Sequence, residues 1–310
     1  MTETTEIKTV SLIGIGALGV LFGDHLSRNM PEGDLRIVAD QARIDKYKQN
    51  HVYINGQRCE FNYVSPEQPC EPADLVIFAV KFNGLEDAIE AVRNHIGENT
   101  TIISLLNGVT SEAIIGQRYG MDKMVYCVAQ GMVAVKVDNH LRCEQMGMLC
   151  IGDREPGLIS DKVKRLADFF TKTKLPFEVD TNMYHRLWGK LMLNVGVNQT
   201  IAVYETDFAG VQVEGEARDK MIRAMKEVML LSEHEDVNLT DQDLQYWLDV
   251  LSKLDPTGKP SMRQDTEARR YSEVELFSGT VINLGEKYGI PTPVNREFYE
   301  WIKRYESAYE

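Results

Sequence analysis

The sequence predicts an α/β fold: an N-terminal parallel sheet with crossover helices, followed by an all-α C-terminal domain. Three observations carry this. Short Val/Ile/Leu runs alternate with longer mixed segments through the first half of the chain. No convincing strand follows Thr181, where long helical periodicities take over. Between the first apolar run and the first helical segment stands a glycine-rich loop, Gly14-Ile15-Gly16-Ala17-Leu18-Gly19.

Strands are expected at Thr9–Gly14, Leu35–Ala39, Leu75–Val80, Thr101–Leu106 and Met124–Ala129. Most are near-continuous Val/Ile/Leu, as strands covered on both faces should be. Ala17–Asn29 reads as a helix, ended by Met30-Pro31-Glu32-Gly33-Asp34. The alternation over Val52–Tyr63, with Asn55-Gly56 at its centre, predicts a hairpin inserted into the α/β pattern. The character changes near Pro176–Thr181, so the expected domains are residues 1–180 and 181–310. Helices are expected at Asn182–Val203, Glu214–His234, Asp241–Lys253 and Met262–Tyr288. Pro256-Thr257-Gly258-Lys259-Pro260 separates the last two, and Gly289-Ile290-Pro291-Thr292-Pro293 ends the series.

Composition narrows the function classes. The chain has 310 residues, 43% hydrophobic and 26% charged, which are ordinary globular values. The run Leu75–Val80 is far too short to span a membrane, so no membrane partner is expected. Met1-Thr2-Glu3-Thr4-Thr5-Glu6 has neither a basic region nor an apolar one, so no secretory signal is visible and a cytoplasmic location is expected. Five cysteines, none in a Cys-x-x-Cys pair, suit reduced thiols better than a disulfide framework or a zinc site. The six histidines show no ligand spacing, and no metal is expected. A net charge of -13 argues against nucleic acid, which needs a basic footprint, but leaves anionic small molecules open.

The glycine loop is a Gly-x-Gly-x-x-Gly between strand and helix. Gly14 permits the tight turn, Gly16 lets a pyrophosphate approach the backbone, and Gly19 lets helix and strand pack closely. Ile15, Ala17 and Leu18 complete a loop whose anion would rest on the helix N-terminus. Asp40 ends the second strand about 20 residues on, where an acidic residue accepts the adenosine ribose hydroxyls. A carboxylate there points to NAD. Arg43 can pair with a 2′-phosphate instead, while Lys46 and Lys48 read more simply as a solvated helix start. The sequence leaves NAD against NADP open.

Other strand ends carry Lys81 and Asn107-Gly108. Ligands of open α/β sheets collect at such ends, although a lysine can merely close a strand in solvent and Asn-Gly can be turn chemistry.

The segment His185–Asn198 is apolar nearly all round. At about 100° per residue, Asn194 lies about 40° and Asn198 about 80° from Lys190, giving one narrow polar line. Such a helix should be largely buried, and a buried lysine shifts its pKa readily, which suits proton transfer. One wet edge of an amphipathic helix gives the same line. Ser261, Asp265, Arg269 and Glu273 recur every fourth residue, which on spacing alone is best read as a solvated face with internal Asp–Arg–Glu pairs.

Together these segments resemble the ketopantoate reductase family. The pieces are Gly14–Gly19, Val80-Lys81, Leu106-Asn107-Gly108, Leu187-Trp188-Gly189-Lys190-Leu191-Met192-Leu193-Asn194 with Asn198, and Ser261-Met262-Arg263-Gln264-Asp265 followed by Glu273. The resemblance implies a Rossmann-type domain, a helical C-terminal domain, and NADP(H)-dependent reduction of 2-dehydropantoate to (R)-pantoate in pantothenate and coenzyme A synthesis. It implies Lys190 as general acid with Glu273 as its catalytic partner. Asn194, Asn198 and Ser261 would be substrate contacts, with Lys81 and Asn107 by the nicotinamide end. Asp40 departs from the family, whose members often carry a basic residue near that strand end. Some members form homodimers, and the apolar helical half offers surface for one.

Overall fold

The computed structural model describes residues 6–309. The first five residues, read above for a leader, lie outside that range. The chain divides into two compact units: Met1–Leu106 with Ser111–Tyr184, and Asn107–Thr110 with His185–Glu310.

The first unit is built on a five-stranded parallel sheet. β1 (Val10–Ile13) leads through the glycine loop into α1 (Ala17–Asn29), then β2 (Leu35–Val38) and α2 (Gln41–Asn50). The hairpin of β3 (Tyr53–Ile54) and β4 (Gln57–Arg58) follows, turned by Asn55 and Gly56, both at positive φ. That is the pairing a type I′ turn requires. β5 (Tyr63–Val64) and β6 (Leu75–Phe78) precede α3 (Leu85–Ala91), β7 (Thr101–Ser104) and α4 (Ser111–Tyr119). The sheet order is β5-β2-β1-β6-β7, every neighbour parallel. β1, β6 and β7 are buried throughout. That double-sided burial is why they are mostly Val/Ile/Leu rather than alternating, with Ser11, Thr101 and Ser104 buried among the apolar residues.

β8 (Tyr126–Gln130) departs from the expectation of one parallel sheet. Only Met124 keeps a parallel bridge, to Ile102; β8 itself runs antiparallel to a later strand. β9 (Val133–Val137), β10 (His140–Gln145) and β11 (Met148–Gly152) come next, then α5 (Asp161–Lys172) and β12 (Phe177–Val179). They form a three-stranded sheet, β12-β11-β8, and a four-stranded one, β4-β3-β10-β9. The inserted hairpin therefore pairs with a second hairpin that the sequence reading did not include.

The second unit is helical. α6 (Met183–Val203), α7 (Ala209–Gln212), α8 (Glu216–Ser232) and α9 (Asp241–Ser252) agree with three of the expected helices and add one short turn. The fourth expectation, a single helix over Met262–Tyr288, is wrong. α10 (Ser261–Glu267) stops after seven residues, and a π-helical turn, Glu275–Gly279, leads into α11 (Thr280–Tyr288). α12 (Pro293–Glu306), opened by proline in its first turn, was not expected at all. No helix among the described residues is long and apolar enough to cross a membrane, and no disulfide joins any of the five cysteines.

Candidate active site

The three glycines of the loop meet different constraints. Gly14 has φ +100, and a Cβ there would lie 2.6 Å from the Ala79 carbonyl oxygen. A Cβ on Gly19 would fall 1.8 Å from the Gly14 carbonyl oxygen. Both positions exclude any larger residue on steric grounds alone. Gly16 differs. Its φ is −74, and a Cβ would meet only the Ala79 oxygen at 3.6 Å, an ordinary contact. The chain's own packing does not require glycine there.

Gly16 is also the N-cap of α1, and no side chain caps that end. The first-turn N–H groups of a 13-residue helix are thus left to solvent or a ligand. An uncapped N-terminus beside a glycine that the fold does not demand fits a pyrophosphate drawn close to the backbone.

Asp40 stands just beyond β2 as the N-cap of α2, where its Oδ1 accepts the Arg43 N–H at 2.8 Å. Arg43 turns back, its Nε 3.3 Å from Asp40 Oδ2. The carboxylate is half exposed and the guanidinium more so. Lys46 and Lys48 are exposed further along the helix. Lys81 follows β6 at the mouth of the 3-10 turn Phe82–Gly84 and is exposed.

In the second unit, Lys190, Asn194 and Asn198 all lie on α6, four residues apart. The helix is buried along most of its length: Leu187, Trp188, Leu191, Met192, Val195, Val197, Ile201 and Ala202 form its apolar bulk. Asn194 and Asn198 are buried and Lys190 is half-buried. Gly189 and Gly196 let neighbours press onto this helix. A Cβ at the first would reach 2.5 Å from Trp247 Nε1, and at the second 2.4 Å from Met225 Cγ.

Asn107 and Glu273, far apart in sequence, are joined directly: the Asn107 Nδ2 donates to Glu273 Oε2 at 2.9 Å. Gly108, at φ +89, packs its backbone against Leu276, just beyond Glu273. The Asn107-Gly108 turn is therefore more than a strand ending.

The expected stripe of Ser261, Asp265, Arg269 and Glu273 does not exist, because its helix ends inside it. Arg269 takes a left-handed φ of 50. Its N–H bonds the Thr266 carbonyl and that of Arg270 bonds the Asp265 carbonyl, a Schellman stop with arginine where glycine is usual. Asp265 is buried and paired with Arg270 (2.8 Å) rather than with Arg269. Next, the buried Ser272 donates both its N–H and its hydroxyl to Glu306 Oε1, at 2.7 and 2.6 Å. Ser261 is exposed on the first turn of α10 and Glu273 is half-buried ahead of the π turn.

Gln199 was not singled out from sequence. It is fully buried on α6, and its Oε1 accepts both the N–H and the hydroxyl of Ser278, inside the π turn. Its Nε2 donates to the Val195 carbonyl and to Asn295 Oδ1. Asn295 in turn donates to Glu227 Oε2, and Glu227 accepts the N–H groups of Val294 and Asn295 at the start of α12. A long polar residue at a position where the wheel is otherwise apolar was the available signal.

In the first unit, Glu112 is buried and accepts from the Ser111 hydroxyl, which itself lies 2.8 Å from the Ser104 hydroxyl. Burial pushes its carboxyl up to about 7.

Comparison with known proteins adds to this geometry. The model of the ketopantoate reductase PanE/ApbA family matches residues 10–156, and that of the ketopantoate reductase PanE/ApbA C-terminal region matches residues 182–306. The 2-dehydropantoate 2-reductase of Streptococcus pyogenes serotype M18 is 24% identical over 305 residues, covering 96% of this chain and 98% of its own. That of Aquifex aeolicus is 24% identical over 303 residues, covering 94% and 95%. Among solved structures, D-mandelate dehydrogenase with NADH and anilino(oxo)acetate superposes with a TM-score of 0.86 at 20% identity, covering 97% of this chain and 99% of that one. A PanE/ApbA family ketopantoate reductase from Ralstonia eutropha JMP134 gives 0.83 at 22%, with the same coverage. Two family models laid end to end over both units, and full-length relatives with one reductase name, place this chain in the ketopantoate reductase family, a family of oxidoreductases.

Proposed function

We propose that this chain reduces 2-dehydropantoate to (R)-pantoate with a nicotinamide dinucleotide. Residues 1–180 hold the dinucleotide, and residues 181–310 supply the groups that act on the substrate. The observation that carries the reading is the line Lys190, Asn194, Asn198 on a largely buried helix, leaving aside Gln199, which is bonded to Ser278 and Asn295. An ammonium and two amides on one stripe of a helix supply the donors and acceptors that a 2-oxo acid's carbonyl and carboxylate call for.

The dihydronicotinamide, when bound, supplies a hydride. Lys190 donates a hydrogen bond to the C2 carbonyl oxygen and then its proton, so negative charge never builds up unmatched on that oxygen. Glu273, oriented by the Asn107 amide, is the carboxylate partner that keeps the lysine charged and aimed. Asn194, Asn198 and Ser261 hold the substrate's carboxylate and hydroxyl, which fixes C2 in one orientation. Lys81 and Asn107 serve the nicotinamide end, and the loop from Gly14 to Gly19 holds the pyrophosphate.

The test is NAD(P)H oxidation with ketopantoate, run beside 2-oxoisovalerate and benzoylformate. Ketopantoate alone offers a hydroxyl beyond the branched carbon, and a clear preference for it is expected. A second reading, a reductase of the same build for a different 2-oxo acid, draws support from the likeness to D-mandelate dehydrogenase. Equal or faster turnover of the other acids decides for it. A neighbour from Staphylococcus aureus is described as a dimeric ketopantoate reductase, and we propose a homodimer here too, to be checked by the mass in solution.

A further inference from the structure

We propose that Asp40 sets this chain's preference to the unphosphorylated dinucleotide, NAD(H), because helix capping pins its carboxylate where the adenosine ribose is recognised. The inference rests on the dinucleotide reading of the glycine loop. In a sheet of this order the ribose lies beyond the carboxyl end of the second strand, within reach of the residue that ends it.

Asp40 is tied from three sides. Its Oδ1 takes the Arg43 N–H, its carbonyl takes the Ile44 N–H at 2.9 Å, and the preceding Ala39 N–H bonds the Val64 carbonyl on the neighbouring strand. The carboxylate cannot swing away from an approaching phosphate without uncapping α2. A ribose 2′,3′-diol donates hydrogen bonds to such an acceptor, whereas a 2′-phosphate offers only acceptors and negative charge.

Arg43 is the residue the sequence offers as a phosphate ligand. Its Nε lies 3.3 Å from Asp40 Oδ2, so the pair carries no net charge toward the ribose. A phosphate would have to break that pair and still face the carboxylate. Asp45, which accepts from Gln41 on the next turn, adds a second acidic group to this end of the helix.

The experiment titrates the whole protein with NADH and with NADPH, read by quenching of tryptophan fluorescence, and with ADP and adenosine 2′,5′-bisphosphate in competition. NADH is expected to bind about tenfold or more tightly than NADPH. Asp40→Asn keeps an N-cap acceptor and removes the charge. It should leave the thermal midpoint near the parental value and shift the NADPH to NADH affinity ratio about tenfold or more toward NADPH. Asp40→Ser serves as the second variant and should shift it the same way. Adding Arg43→Ala to Asp40→Asn should reverse the gain, since the freed guanidinium is what then binds phosphate. NADPH binding as tightly as NADH in the parent, or an unchanged ratio in both Asp40 variants, overturns the proposal while leaving the dinucleotide reading standing. Binding of neither nucleotide overturns that reading, and the proposal with it.

Discussion

The glycine loop of the first unit and the segment Ala268–Gly279 of the second both interrupt regular structure beside candidate functional residues, and they do so by opposite means. The loop bends because of its own residues: Gly14 and Gly19 occupy places no side chain can enter. The second segment bends because of residues far away in sequence. Glu306 draws in Ser272, and Gln199 satisfies the polar groups of Ser278 inside the π turn. Nothing in the residues 268–279 themselves demands the break; with arginine at the left-handed position, local preference even opposes it. A bend fixed by local sterics is readable from a short motif. One fixed by distant hydrogen bonds is not.

The largest expected effect tests the division of labour between the two units. Lys190→Ala should cut turnover of the 2-oxo acid by about two orders of magnitude or more while leaving dinucleotide affinity nearly unchanged. Steady-state kinetics beside a binding titration checks this, and near-parental turnover would remove Lys190 from the mechanism.

Gly16→Ala and Gly19→Ala sharpen the contrast within the loop. Gly19→Ala should destabilise the protein by about 2 kcal/mol or more, because the new methyl overlaps the Gly14 carbonyl. Gly16→Ala should leave the melting temperature almost unchanged and weaken dinucleotide binding about tenfold. Equal thermal losses in the two variants would mean that Gly16 serves packing after all.

Glu306→Ala probes the distant control of the second bend. It leaves the Ser272 N–H buried without a partner and should cost about 1–3 kcal/mol of stability in urea unfolding. Catalysis should fall as well, through the displacement of Glu273. A variant as stable as the parent would show that Ala268–Gly279 holds its shape locally.

The smallest effect is a pH dependence in which two buried groups of the first unit oppose each other. Burial raises the Glu112 carboxyl to about 7, so its neutral form is the one the folded state prefers. Its contribution is complete below the usual carboxylate range and is lost as pH rises through 7. Burial lowers His95 to about 4, so the folded state binds fewer protons than the unfolded chain between there and the usual histidine value. That contribution is present above this range and is lost as pH falls through 4. Over roughly pH 4.5–6.5 the slopes have opposite sign and partly cancel. Glu112→Gln removes one of them, and its melting temperature should climb with pH across that window more steeply than the parent's. An unchanged profile would contradict the burial argument.

Much of the first unit was legible in the sequence because its signals are short-range. Buried parallel strands show as apolar runs, Asn55-Gly56 announces its hairpin, and the helix Ala17–Asn29 falls where expected. The alternating strands Val133–Val137 and His140–Gln145 were missed. The first exposes Val133, Val135 and Val137 and the second is polar along its exposed face, so neither shows the buried apolar run of the parallel strands, and nothing local says that the second pairs with the inserted hairpin. The alignment of Lys190, Asn194 and Asn198 on one stripe was legible because one helix sets their spacing. Arg269 and Glu273 were wrongly aligned with Ser261 and Asp265 because periodicity cannot see a carboxylate arriving from α12. Gln199 escaped for the same reason. Its partners Ser278 and Asn295 are brought to it only by the tertiary fold.

The capping role of Asp40 has a consequence for how this lineage can change. Asparagine caps a helix about as well as aspartate, and the codons of the two differ by a single base. If Asp40 sets the dinucleotide preference as proposed, a switch lies one mutation away, with no intermediate in which the helix is lost. On the proposal above, the fold restricts this position to residues that cap a helix, yet leaves the choice of electron donor open within that set.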